Sequence, residues 1–288
     1  MQAESIGMGF RTNSAWRMIA ILLALLTVGC AHREKAAPPA APPAAETPKA
    51  PEAAANAPRP VMQQQALDLL KRMSETLAGA KAFTYRSHSM AEEPAVTGQF
   101  LTFFGHADVA LERPNKLHAN VGGDIPNFHF YYDGSNVTAF DPEKNLYAIS
   151  SGAPGTIDEM LPFVMEKAGI QFPAADFLYS DPYGMMTKDV ISAMDVGPSK
   201  VDGFPCEHLA FMGPGVNWEV WIDSGKQALP RRMAVTYKEA TNFPRFLVEF
   251  SDWNLKPKLA ASTFAFKKPA NAKQIEFAPL AGGEFKKQ

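Results

Sequence analysis

The sequence predicts an α+β fold that is mainly β: a curled antiparallel sheet, a half-barrel of about ten strands, with a covering N-terminal helix and a helical insert. Three observations carry this. Apolar and polar residues alternate over run after run from residue 83 onward, the period of a half-buried strand. The connections between runs are short and hold turn pairs such as Asp133-Gly134 and Asp202-Gly203, so successive strands pair antiparallel and leave no room for βαβ crossovers. An open sheet of that size curls or splits. The two helical segments are the natural cover for its apolar concave face, whose interior is either filled by side chains or left as a cavity.

The elements follow in order. Ala66, Leu67, Leu70, Met73 and Leu77 recur at helical spacing over residues 62–79, and Gly79 can end that helix. Strands are expected at Phe83–His88, Leu101–Leu111, Leu117–Val121, Phe128–Tyr132, Val137–Phe140 and Leu146–Ile149. A helical insert covers about residues 156–192. Thr156 with Glu159 has capping-box spacing, Met160, Leu161, Val164, Met165 and Ala168 form its apolar face, Pro162 should kink it, and Gly169 can close it. Asp181-Pro182 marks a second helix start, continued by Val190, Ile191 and Met194. Strands return at Phe204–Met212, Trp218–Ile222, Met233–Tyr237 and Phe246–Phe250, and Phe264 with Phe266 suggests a short last one.

Ahead of this domain lie two segments of different character. Arg11 and Arg17 flank a short apolar run, Met18–Leu26, followed by Gly29-Cys30. The run is shorter than the ~20 residues that cross a bilayer and fits a secretory signal peptide over residues 1–29. Initiation at Met8 would remove Glu4, the one acidic residue of the flank. The end of the run resembles a bacterial lipobox, with Thr27 where Leu is usual. Cys30 is then the lipidation site and mature amino terminus, and chains of the palmitate kind would anchor it to a membrane. Ala31 after the Cys favours the outer membrane, with the domain facing the periplasm. Residues 30–60 form an Ala/Pro-rich disordered tether, extended by Pro38-Pro39 and Pro42-Pro43, and residues 61–288 form the half-barrel.

Composition removes several functions. The 288 residues are 46% hydrophobic with a formal net charge of −2, which excludes wholesale disorder and offers no basic excess for nucleic acid. Two cysteines exclude a disulfide scaffold, and Cys206 reads as a small core residue. Nucleophile elbows, phosphate loops and zinc-ligand spacings are missing, and His88, His106, His118, His129 and His208 show no metal pattern. No catalytic residue, metal or cofactor is assigned, and the chain is read as a non-enzyme. Arg231-Arg232 fits either an anionic head group or a solvated strand start. What stands out is the apolar inventory of 20 Phe and 13 Met. Phe103, Phe128, Phe130, Trp218, Val220, Phe246, Val248 and Phe250 are the cavity-wall candidates, with Met160, Val164, Met165, Met185 and Met186 of the insert as lid. The pattern leaves open whether each lines a cavity or fills a core.

Six stretches together carry a resemblance: Tyr132-Asp133-Gly134, Asp141-Pro-Glu-Lys-Asn-Leu-Tyr147, Pro154-Gly-Thr-Ile-Asp-Glu-Met-Leu161, Val201-Asp-Gly-Phe-Pro-Cys-Glu-His208, Trp218-Glu-Val-Trp-Ile222 and Leu229-Pro-Arg-Arg-Met233. They resemble the DUF2092 family of predicted periplasmic proteins over about residues 64–276. That family looks like part of the LolA/LolB/LppX superfamily of lipoprotein carriers. The resemblance implies a half-barrel covered by helices, with an apolar cavity for acyl chains, and supplies no catalytic residues. The expected partners are the membrane, a lipid or lipoprotein ligand, and an envelope protein if the domain senses lipoproteins instead of holding lipid. A lipid or cell-wall hydrolase is the remote alternative.

Overall fold

A computed structural model describes residues 59–277, apart from 125, 126, 171 and 173. The expected signal peptide, Cys30 and the tether up to residue 58 lie outside the described residues. Helix α1 spans Gln64–Gly79, and its buried side Ala66, Leu70, Met73 and Leu77 is the one its spacing marks. No side chain caps its start. Gln63 instead takes Ala193 O through its own N–H and offers Oε1 to Asp195 N, which clasps the chain entry to a strand edge.

Six strands follow: β1 (Ala82–Pro94), β2 (Phe100–Glu112), β3 (Lys116–Gly123), β4 (Phe128–Tyr132), β5 (Asn136–Asp141) and β6 (Leu146–Ser151). The helical insert then holds α2 (Ile157–Ala168), a 3-10 turn (Ala175–Leu178) and α3 (Pro182–Thr187). Five more strands are β7 (Ser192–Val201), β8 (Phe204–Met212), β9 (Val216–Asp223), β10 (Pro230–Tyr237) and β11 (Arg245–Asn254), and β12 is Lys273–Ile275. All twelve form one curled open sheet in the order β12-β6-β5-β4-β3-β2-β1-β11-β10-β9-β8-β7. Two antiparallel meanders therefore meet at the β1·β11 pair. The insert leaves the sheet at β6 and returns at β7, the opposite edge. It has to cross the inner face, and that makes it a cover.

The capping signals of the insert act as expected. Thr156 Oγ1 accepts from Glu159 N at 3.3 Å and donates to the Glu159 carboxylate at 3.0 Å. Gly169, at φ 65°, closes α2 by donating its N–H to Met165 O. The Asp181 carboxylate caps α3 at Gly184 N. The helix passes through Pro162 unbroken. The only bond given up there is the one to Asp158 O in the first turn.

Two expectations are corrected. Val190, Ile191 and Met194 do not continue a helix: α3 ends at Thr187, and Ser192–Val201 is strand β7. Pairing with β8 on one side and with Val61–Gln63 on the other outweighs a weak helical spacing. Phe264 and Phe266 are not a strand either. They follow the 3-10 turn Ala261–Thr263 and owe their spacing to packing on the outer face. Phe266 meets Tyr131, Phe140 and Tyr147 at 5.7, 5.6 and 5.2 Å between ring centroids. The last strand is β12, parallel to β6. The sheet accordingly has twelve strands where about ten were expected.

Candidate functional site: an inner-face trough

Cross-strand register places the inner-face residues in rungs. One runs Phe211, Trp218, Val235, Phe246, Ala91 and Phe103 from β8 to β2. The next runs Leu209, Val220, Met233, Val248, Ser89 and Gly105. A third joins Phe250, Ser87, Ala107, Val121 and Phe128, and Ala119 pairs Phe130 beyond it.

These rungs have uneven depth. On β1 and β2 the inner positions are Ser87, Ser89, Ala91, Gly105 and Ala107, all half-buried. On the β11 side stand Phe246, Val248 and Phe250, all buried. On the other side stand half-buried Phe128 and fully buried Phe130. Small side chains on β1 and β2 lie beside the bulky β11 residues, and in the Ser87–Ala107 rung they lie between Phe250 and Phe128. They form a shallow trough, because Ser, Ala and Gly cannot fill the depth that Phe fills.

The insert brackets this trough. Phe172 meets Phe130 edge-on at 4.9 Å, and Phe177 meets Phe250 edge-on at 5.4 Å. Met160, Val164 and Met186 are buried in the same cluster as the sheet residues. Arg113 pins the arrangement: its Nη1 donates to Leu178 O at 3.0 Å and its Nη2 to Leu77 O at 3.4 Å, so one side chain holds lid and α1 together. The Asp158 carboxylate adds a bond from Ser180 N at 2.9 Å.

The candidates therefore divide. Phe130, Met160, Val164, Met186, Trp218, Val220, Phe246, Val248 and Phe250 meet in one inner cluster, and half-buried Phe128 packs against it. Phe103 is half-buried on the β1–β2 ribbon, beyond the last β2·β3 pair at Gly105 and Gly123. Met165 and Met185 are half-buried and lie outside the core cluster. Sequence reasoning missed the small floor residues, whose signal was alternation of Tyr85, Ser87, Ser89 and Ala91. It also missed Phe172 and Phe177 of the lid.

Three polar groups interact where the 3-10 turn approaches the end of β10: Asp176, Tyr179 and Tyr237. Burial pushes the Asp176 carboxyl up to about 6, and its Oδ2 is buried without a hydrogen-bond partner. Burial, then the charges of Asp176 and Asp158, push the Tyr179 hydroxyl up to about 12. Tyr237 is raised by burial first, then by Asp176 and Glu93.

The outer face contrasts in chemistry. Arg231 pairs with Asp223 at 2.7 Å and Arg232 with Glu249, so both arginines are engaged on the sheet. Cys206 is buried among Val201, Trp221, Ala234 and Leu247, and burial raises its thiol. A concavity of about 330 Å³ between Tyr131, Thr138 and Phe264–Phe266 is polar, and its Asp133 carboxylate is spent on its own turn at Ser135 N and Asn136 N. Among the described residues no group of three or more His, Cys, Asp or Glu could hold a metal ion.

Solved structures similar to the chain include Mycobacterium tuberculosis lipoprotein LppX, at 12% identity and TM-score 0.44, covering 69% of this chain and 100% of that one. LprF from Mycobacterium bovis is similar at 12% identity and TM-score 0.36, covering 74% and 100%. A LolA superfamily protein from Nitrosomonas europaea is similar at 10% identity and TM-score 0.32, covering 70% and 97%. No curated protein matches. The pattern of the family described as "Predicted periplasmic protein (DUF2092)" matches residues 66–278, and the chain belongs to that family.

Proposed function

We propose that this is a periplasmic binding protein, tethered by a lipid on Cys30 to the outer membrane, that holds an acyl chain of a lipid or lipoprotein in the inner-face trough. The observation that carries the reading is the half-buried floor of Ser87, Ser89, Ala91, Gly105 and Ala107 beside buried Phe246, Val248 and Phe250. A binding site for apolar chains needs concavity, apolar walls and a cover that can part from them. The trough supplies the first two. The insert supplies the third, because α2, the 3-10 turn and α3 reach the sheet through side-chain contacts and a few bonds such as those of Arg113. The signal peptide of residues 1–29 and the tether of residues 30–60 belong to this proposal: they would export the domain and give it reach from the membrane.

Detergent-free purification followed by native mass spectrometry and lipid extraction tests it. The protein should carry acyl chains, and Ser89→Trp, which fills the floor, should lower their occupancy about tenfold with the fold retained. Recovering no acyl ligand, together with no uptake of a fluorescent fatty acid, would overturn the proposal.

A further inference from the structure

Asp176 is the polar group that an acyl trough alone leaves unexplained. It is the second residue of the 3-10 turn Ala175–Leu178, next to Phe177, whose ring meets the trough wall at Phe250. Its Oδ2 is buried and accepts no hydrogen bond. Tyr179 of the lid and Tyr237 at the end of β10 both feel its charge, and Tyr237 also feels Glu93 at the end of β1. Among the described residues no lysine or arginine acts on Asp176. Buried carboxylate oxygens are nearly always partnered, because a charge in a poor dielectric is costly when nothing compensates it. The missing partner is best sought outside the chain.

We propose that the ligand of the inner-face trough carries an ammonium head group, and that Asp176 receives it as a charge-assisted hydrogen bond while the acyl chain lies on the small-residue floor. This rests on the acyl-trough reading and specifies the polar end of that ligand. A cationic donor matches a buried carboxylate oxygen that has no hydrogen-bond partner and whose charge reaches Tyr179 and Tyr237. With a carboxyl titrating near 6, the site is anionic at neutral pH. An anionic head group would meet repulsion from Asp176.

The test uses the full chain with Cys30→Ala, which removes the expected lipidation site and allows work without detergent. Dodecylamine, dodecanol and laurate are titrated calorimetrically at pH 7.5. Dodecylamine should bind at least about tenfold more tightly than the other two, and Asp176→Asn should erase that preference. Dodecanol should bind the variant as it binds the parent, which separates loss of the head-group contact from loss of the fold. Lysophosphatidylethanolamine with the same Asp176 dependence would place the ammonium on a phospholipid; dependence for dodecylamine alone would place it on a simple amine. Equal binding of the three probes, or an ammonium preference that survives Asp176→Asn, overturns the head-group assignment and leaves the acyl trough standing. Binding of none of the three overturns both.

Discussion

The two faces of the sheet are built from the same strands and solve different problems. In β9, Trp218, Val220 and Ile222 point to the helix-covered side and are at most 3% exposed. Trp221 between them points outward, stacked on His208 at 4.1 Å with Arg232 above its other neighbourhood at 5.5 Å. The inner face is one continuous apolar cluster. The outer face holds two small clusters, Val201–Cys206–Trp221–Ala234 and Phe140–Tyr147–Ala272, with ion pairs around the first. Outer rungs are tied strand to strand by directional contacts. Inner cohesion over β1 and β2 depends on what covers them, because Ser, Ala and Gly supply little area of their own. One face therefore fixes the sheet, and the other relies on its cover.

The sharpest way to break this comparison is to excavate each face in turn. Phe130→Ala removes a fully buried ring from the inner cluster and should cost about 3–5 kcal/mol in urea unfolding. Phe104→Ala on the outer face, 61% exposed, should stay within about 0.5 kcal/mol. Similar losses for the two would refute the division.

Asp176 gives the next effect. Its folded-state pKa of about 6 lies above the ordinary 3.8, so folding favours the neutral form. The penalty is absent below the ordinary value, grows as pH rises between the two, and is complete above about 6. Asp176→Asn should therefore stabilise the protein by on the order of 3 kcal/mol at pH 7 and by almost nothing at pH 3.5. A stability gain independent of pH would contradict the buried-carboxylate account. Sites kept for a ligand commonly carry such a cost.

On the outer face, Arg231→Ala removes two N–H donors, Nε and Nη2, from Asp223 Oδ2 and the cation 3.8 Å above the Phe204 ring. A loss of about 1.5–3 kcal/mol is expected, and Arg231→Lys should recover only part of it. The smallest effect is at the lid. Thr156→Ala removes the cap of α2 and should cost about 1 kcal/mol. Hydrogen exchange should locate that loss in residues 156–191 and spare the sheet, which would show the cover opening as its own unit.

Much of the fold was legible because strands β1 to β6 and β8 to β11 write their own period. Most alternate or run apolar between turns, and the turns announce themselves: Asp202 and Gly203 both take positive φ, 48° and 82°, between β7 and β8. Thr156, Glu159, Gly169 and Asp181 marked the insert correctly for the same local reason. Strand β7 was illegible, since its apolar Met194 and Val196 sit on the exposed side and Gly197 and Pro198 follow them. It is a strand because β8 and the chain entry hold it. Strand β12 is three exposed residues recruited by β6.

The site divides along the same line. By itself the sequence determined the buried apolar face of the sheet and of α2, because bulky apolar residues in period mark a buried face wherever the chain goes. Only the tertiary structure decided that β1 and β2 lie at the centre of the sheet, that their serines, alanines and glycine form a floor, and that the insert runs from one edge to the other with Asp176 beneath it. Depth and burial belong to partners brought together from distant parts of the chain, and a short polar or small residue carries no periodic signal of where it will be enclosed.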